Sequence, residues 1–148
     1  RWPAERFAAV GDRLAAAGHR VVLTGTDGER GAVDAVTRAM VAPALDACGR
    51  TSVGTLAALF AGAGVLVSND TGAAHLAVAV GAPSVVVFPS DGDPRRWAPL
   101  DRDLHARVGP EPRTVRPAAG RWPVVGAVLD AVARQLARAP DRRLEAAR

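Results

Sequence analysis

The sequence predicts an α/β fold, a Rossmann-like parallel sheet with helices on both faces. Short β-branched apolar runs alternate with segments of helical periodicity along most of the 148 residues. The connections between these segments are only a few residues long, which favours parallel strands joined by right-handed crossover helices. An apolar content of 49% is enough for one buried core. We therefore expect a single domain over residues 1–139 and a C-terminal tail over 140–148.

The first third of the chain predicts helix, strand, helix and strand, in that order. Apolar residues recur at three- and four-residue spacing between Pro3 and Gly18, which is typical of an amphipathic helix. The run VVLTG at 21–25 predicts a strand covered on both faces, and a helix follows over about residues 29–40. The segment 43–50 has room only for a brief strand.

The alternation continues beyond residue 50. Thr51 or Ser52 is suited to cap a helix that carries Val53 and Phe60 on its apolar side. The further elements that the pattern predicts are a strand over 65–68, a helix over 72–80, a strand over 84–88, a strand near 104–108 and a helix from about residue 123.

Composition argues against several classes of function. All 19 basic residues are Arg, the net charge is only +4, and aromatic residues make up 4% of the chain. This composition does not favour a nucleic-acid-binding function. No apolar stretch of the sequence is long enough to span a bilayer. The single cysteine, Cys48, cannot form an internal disulfide, and no Cys or His pair has metal-ligand spacing. We therefore expect a cytoplasmic protein without a metal or cofactor.

The segment S-N-D-T-G-x-x-H, residues 68–75, lies between a predicted strand and a predicted helix. Asp70, Thr71 and Gly72 fall beyond the carboxyl end of the strand, where parallel α/β proteins bind ligands. Thr71 can cap the helix, and Gly72 lets a ligand approach helical amides that attract anions. One turn later, His75 can donate to a phosphate at the same helix end, while Asp70 suits sugar hydroxyls. The pattern predicts a pocket for a phosphosugar or nucleotide sugar.

A purely structural interpretation fits the same segment. Asp and Thr before a helix are ordinary capping residues. A histidine on an alanine-rich helix is more often packed in a core than exposed to a ligand. The spacing alone leaves both interpretations open.

Two other segments give weaker signals. The glycines of Gly25–Gly31 have the spacing G-x-x-G-x-x-G rather than the G-x-G-x-x-G of a dinucleotide-binding loop. The turn Ser90–Pro94 carries two carboxylates that could hold a cation, but Asp-Gly and Asp-Pro are first of all turn residues. Trp97 is expected to pack against its own loop.

The ordered segments from RWPAERFAAV to DPRRWAP, residues 1–99, resemble the C-terminal domain of glycosyltransferase family 9, the ADP-heptose:lipopolysaccharide heptosyltransferase family. The S-N-D-T-G-x-x-H core, followed by G-A-P and an apolar strand, is the most specific part. The resemblance implies a GT-B arrangement, in which the C-terminal Rossmann-like domain holds the nucleotide-sugar donor. It implies donor-binding roles for Asp70, Thr71, Gly72 and His75. It also places Glu29 at the nucleoside ribose, with helix-terminal charge as the alternative role.

Several parts of the family pattern do not occur in this chain. The first strand of the domain and the family's phosphate-binding lysine would precede Arg1, as would the acceptor-binding N-terminal domain with the catalytic base. No catalytic or metal-binding residue is therefore assigned here. We expect this chain to bind the donor without catalysing transfer on its own.

The resemblance implies a glycosyltransferase that moves a sugar, such as heptose from ADP-heptose, to an acceptor hydroxyl. The alternative is a non-catalytic nucleotide- or phosphosugar-binding module, or an epimerase-related domain, that shares only the fold. A lipid-linked acceptor, as in lipopolysaccharide biosynthesis, would bring the protein to the inner membrane face.

Overall fold

The computed structural model describes residues 1–88, 101, 103–109 and 123–138. These residues belong to two compact units, one formed by Trp2–Gly54 and one that begins at Thr55 and includes Arg1. The predicted turn at Ser90–Pro94, Trp97 and the predicted tail at 140–148 lie outside the described residues.

The unit Trp2–Gly54 contains the predicted order of helix, strand, helix and strand. Val22 lies opposite Leu45 and Leu23 opposite Asp46, so the two short strands run parallel. The two helices pack against each other. The elements are α1 (Ala4–Ala16), β1 (Val22–Leu23), a 3₁₀ turn (Asp27–Glu29), α2 (Arg30–Ala39) and β2 (Leu45–Asp46).

Helix α1 begins and ends where the sequence predicts. Pro3 precedes it with a φ of −56°, and Glu5 places a negative charge in its first turn. Gly18 follows it with a φ of 87°, a left-handed conformation that costs glycine little. The Trp2 ring packs edge-on against Phe7, with ring centroids 4.9 Å apart. The start of the helix is therefore anchored by an aromatic pair.

The second unit carries a parallel sheet whose order, among the described residues, is β3-β4-β5. Helix α3 (Val53–Ala61) leads into it. Asn69 lies opposite Val87, and Val87 lies opposite Val108, so the three strands end level at one edge. The elements after α3 are β3 (Leu66–Asn69), α4 (Gly72–Ala79), β4 (Ser84–Val87), β5 (His105–Val108) and α5 (Val125–Arg138).

The middle strand of this sheet lies in the core of the second unit. All of Ser84–Val87 is fully buried, because β3 and β5 flank β4 while α4 and α5 contact it. Further core residues are Phe60, Ala77, Ala82, Val128, Ala131 and Val132. Parallel strands flanked by helices are the α/β fold that the sequence predicts.

Two details of the prediction are wrong. Val53 was expected on the buried side of α3, but it is 74% exposed because it begins the helix. The strand at 21–25 was expected to be covered on both faces, but the residues of β1 are half-buried. Among the described residues β1 pairs only with β2, so one of its edges has no strand beside it.

Candidate functional site

The predicted site residues Asp70, Thr71 and Gly72 lie at the carboxyl edge of the sheet β3-β4-β5. Strand β3 ends at Asn69 and helix α4 begins at Gly72, so a very short connection joins them. Asp70 and Thr71 are half-buried in this connection. Parallel α/β proteins bind their ligands at this edge, where loops and helix N-termini converge.

Thr71 is the N-cap residue of α4, but its side chain makes no capping hydrogen bond. Its carbonyl instead accepts the first bonds of the helix, from the N–H of Ala74 at 3.0 Å and of His75 at 3.4 Å. The backbone is extended, with φ of −149° and ψ of 177°. Thr71 is therefore at the predicted N-cap position, but the predicted capping bond from its side chain is not formed. Its hydroxyl is not used for capping.

The amides of Gly72 and Ala73 come before the first intrahelical hydrogen bond of α4. Gly72 is exposed, and a Cβ atom built on it would meet nothing within 4 Å. The helix N-terminus is therefore open on this side. Amide N–H groups and the helix dipole together favour an anion at such a position.

His75 is exposed on the first turn of α4. The buried side of the helix is formed by Ala74 and Ala77, which are 2% and 0% exposed. The sequence left open whether His75 packs in the core or faces solvent, and this exposure excludes the core position. An exposed imidazole can both donate and accept hydrogen bonds near the helix N-terminus.

Glu29 belongs to the unit Trp2–Gly54, at the end of the 3₁₀ turn that follows β1. One carboxylate oxygen, Oε2, accepts hydrogen bonds from the Thr26 N–H at 3.0 Å and the Thr26 hydroxyl at 3.1 Å. This is a capping box, a reciprocal bond between an N-cap residue and the residue three positions later. Glu29 therefore has a structural role here, through a side-chain cap rather than only through its charge.

A polar cluster that the sequence did not predict lies beside Glu29. The Arg30 guanidinium pairs with Asp46 and donates to the carbonyl of Cys48. Asp34, one turn further along α2, lies 3.7 Å from Arg30. The Cys48 N–H donates to Asp46 Oδ1 at 2.9 Å. The only sequence signals for this cluster are an arginine directly after Glu29 and an aspartate two residues before the cysteine.

The pKa values in this cluster follow from its hydrogen bonds and burial. The backbone N–H of Cys48 and then the Arg30 guanidinium lower the pKa of Asp46. The hydrogen bond to Asp46 raises the pKa of Arg30. Burial raises the pKa of the Cys48 thiol. The pair is thus held charged, while the buried thiol is held in its neutral, unreactive form.

A groove of about 670 Å³ lies at the amino ends of β1 and β2. Its lining includes Asp12, His19, Val41 and Leu45, and none of the predicted site residues. Parallel α/β proteins bind ligands at the carboxyl ends of their strands. The groove therefore lies at the edge opposite to the one where such proteins bind ligands.

Within residues 1–88, 101, 103–109 and 123–138, no three His, Cys, Asp or Glu side chains form a group that could hold a metal ion. No helix in this part of the chain combines the length and apolarity needed to cross a membrane.

Parallel strands, flanking helices and a polar turn at the carboxyl edge make this a Rossmann-like α/β protein. The family model for glycosyltransferase family 9 (heptosyltransferase) matches residues 1–115. The chain belongs to glycosyltransferase family 9. The resemblance inferred over residues 1–99 is thus confirmed.

Two solved structures are similar to this chain. A family 9 glycosyl transferase from Veillonella parvula DSM 2008 is 30% identical, with a TM-score of 0.68 over 73% of this chain. The ADP-heptose LPS heptosyltransferase II of E. coli is 22% identical, with a TM-score of 0.78 over 93% of this chain, and this likeness concerns the fold. The chain spans 30% and 42% of the length of these two proteins. No curated protein sequence gives a significant match.

Proposed function

We propose that this chain binds the nucleotide diphosphate part of a glycosyl donor, as the donor-binding part of a glycosyltransferase. The observation that carries this proposal is the exposure of His75 on the first turn of α4, beside the open N-terminus at Gly72. A packed histidine and a blocked helix end would have favoured the purely structural interpretation.

In this proposal the diphosphate lies against the N-terminus of α4. The amides of Gly72 and Ala73 and the ring of His75 supply hydrogen-bond donors to its oxygens. Thr71 adds a hydroxyl that capping does not occupy. Asp70 accepts hydrogen bonds from sugar hydroxyls, because a carboxylate placed directly against a phosphate would be repelled.

We also propose that Glu29 contributes to donor binding, through the hydroxyls of the ribose. A carboxylate can accept about four hydrogen bonds, so a bond to a ribose diol is compatible with the capping box to Thr26. The capping box then has a second effect, since it fixes the direction in which the carboxylate points.

Transfer itself needs more than donor binding. The diphosphate leaves with negative charge that helix amides and His75 can stabilise, while a general base removes the proton of the acceptor hydroxyl. We propose that the base and the acceptor site are supplied by the part of family 9 proteins that this chain does not cover. The donor heptose, the cytoplasmic location and a place in lipopolysaccharide synthesis stay predictions.

Calorimetric titration of this chain with ADP, UDP, GDP and ADP-heptose tests the proposal. We expect one nucleoside diphosphate to bind, and its affinity to fall about 10-fold or more in His75→Ala and Gly72→Ala, because each change affects a charge-assisted contact. Gly126→Ala is the matched control for Gly72→Ala, since its added Cβ also meets nothing within 4 Å at the start of a helix.

Three results of this titration would count against the proposal. Absence of binding by all four ligands would contradict donor binding by this chain. Equal loss of affinity in Gly72→Ala and Gly126→Ala would show that the ligand does not bind at the N-terminus of α4. Tight binding of a sugar phosphate that has no nucleotide, added to the titration as a fifth ligand, would favour the phosphosugar-binding module instead.

A further inference from the structure

We propose that Arg30 is a positioning residue for Glu29, and that it acts by tying the loop after β1 to the loop after β2. This inference rests on the proposed ribose-binding role of Glu29 and extends it to residues that contact no ligand. It also gives the polar cluster around Cys48 a role in ligand binding.

The backbones of the two loops are joined directly. The Gly49 N–H donates to the Gly25 carbonyl at 2.8 Å, one step beyond the paired strands. Gly49 has a φ of 67°, and a Cβ atom there would collide with the Asp27 carboxylate. The second loop therefore passes close to the first, with a left-handed backbone at Gly49 that glycine adopts at little cost.

Cys48 contacts both sides of the turn that carries Glu29. Its thiol donates to the Thr26 carbonyl, with a distance of 3.2 Å from Sγ to the oxygen. Its own carbonyl accepts a hydrogen bond from Arg30. Thr26 is the residue that holds the Glu29 carboxylate, and Arg30 is the residue directly after Glu29. Thr26, which bonds the carboxylate, and Arg30, which follows Glu29 in the chain, are thus both fixed to the same buried residue.

Arg30 already interacts with two carboxylates of this chain. Its guanidinium pairs with Asp46, and its Nη1 atom lies 3.7 Å from Asp34 Oδ1. An arginine beside a helix N-terminus could be taken for a phosphate ligand, but two acidic neighbours offset its attraction for a phosphate. Its planar fork instead bridges the Asp46 side chain at the end of β2 and the Cys48 carbonyl in the loop that follows. This geometry assigns Arg30 to positioning rather than to ligand contact.

The test compares two ligands, ADP and 2′,3′-dideoxy-ADP, that differ only in the ribose hydroxyls. In Arg30→Gln we expect the affinity for ADP to fall about 5- to 10-fold and that for dideoxy-ADP to change less than about 2-fold, because only the hydroxyls need a correctly placed carboxylate. Asp46→Asn should show the same selective loss. The matched control is Arg38→Gln, which removes the same charge from an exposed position of α2.

A second measurement separates positioning from general loosening of the fold. In a Glu29→Gln background, Arg30→Gln should have almost no further effect on ADP binding, because the group that it positions is already changed. Equal weakening of both ligands, or undiminished weakening in that background, would overturn the positioning role while leaving the proposed function in place. Failure of the unmodified chain to bind ADP or any other nucleoside diphosphate would overturn the proposed function and this inference with it.

Discussion

The hydroxyl of Ser84 and the Nδ1 atom of His105 lie 2.8 Å apart, in a hydrogen bond between neighbouring strands of the sheet. Both side chains are buried, at 0% and 2% exposed. Burial lowers the pKa of His105 below its usual 6.5, and Asp101 opposes this shift only in part. The folded protein therefore favours the neutral imidazole more strongly than the unfolded chain does.

The first prediction is a loss of stability as the pH falls through the range where histidine titrates. Because the folded-state pKa of His105 is the lower one, its contribution to stability is complete well above pH 6.5 and declines as the pH drops below that value. Urea unfolding at several pH values between about 7.5 and 5 measures this decline.

The control for this prediction is His105→Asn, whose amide can still bond to Ser84 but does not titrate. It should flatten the pH dependence in this range, even if it lowers stability at every pH. An unchanged slope would show that another group is responsible. Asp101 acts in a different range, because its pKa is lowered from 3.8 by the N–H groups of Leu104 and Asp103, so its contribution is lost only at more acidic pH.

The second prediction concerns Gly49, whose φ of 67° lies in the left-handed region. Gly49→Ala should lower the free energy of unfolding by about 1 to 3 kcal/mol, from backbone strain and the collision with Asp27. Gly31→Ala is the control, because this glycine lies within α2 and its added Cβ meets nothing. It should raise stability by about 0.5 to 1 kcal/mol. Equal effects of the two changes would contradict the geometry of the loop.

The third prediction is that the thiol of Cys48 reacts slowly in the native protein. The side chain is 1% exposed, and burial raises its pKa, so little reactive thiolate is accessible. Reaction with Ellman's reagent should be about 100-fold slower or more in the native state than in denaturant, since reaction requires local opening. The chain has only one cysteine, so the absorbance change reports this thiol alone. Rapid reaction without denaturant would show that the loops around Cys48 open easily.

The sequence predicted most secondary-structure elements because their signals are local. The apolar spacing of α1, the β-branched run of β4 and the left-handed glycines after α1 and α4 are all properties of a few adjacent residues. The same holds for the turn at 69–72, where strand end, turn and helix start follow one another directly.

Contacts between distant residues could not be predicted in this way. Arg30 and Asp46 are 16 residues apart and meet only because β1 pairs with β2. The burial of Gln135 on α5, at 2% exposed, likewise depends on which face of the helix meets the sheet. Residue type alone predicts an exposed glutamine. Whether the Thr71 side chain caps its helix also depends on a rotamer that the sequence does not specify.

The last prediction uses two threonines that both precede a helical turn but differ in their bonds. The Thr26 hydroxyl donates to Glu29, whereas the Thr71 side chain makes no capping bond. Replacement by valine keeps the shape and removes the hydroxyl. Thr26→Val should therefore lower the free energy of unfolding by about 0.5 to 1.5 kcal/mol, while Thr71→Val should stay within about 0.5 kcal/mol of the unmodified chain.

The same two variants should also differ in donor binding. If the Thr71 hydroxyl serves the ligand rather than the helix, Thr71→Val should weaken binding of the nucleoside diphosphate while its unfolding curve stays unchanged. Calorimetry and urea unfolding on the same samples measure both effects. A marked loss of stability with unchanged affinity would mean that the hydroxyl supports the turn after β3, and it would remove Thr71 from the proposed diphosphate contacts.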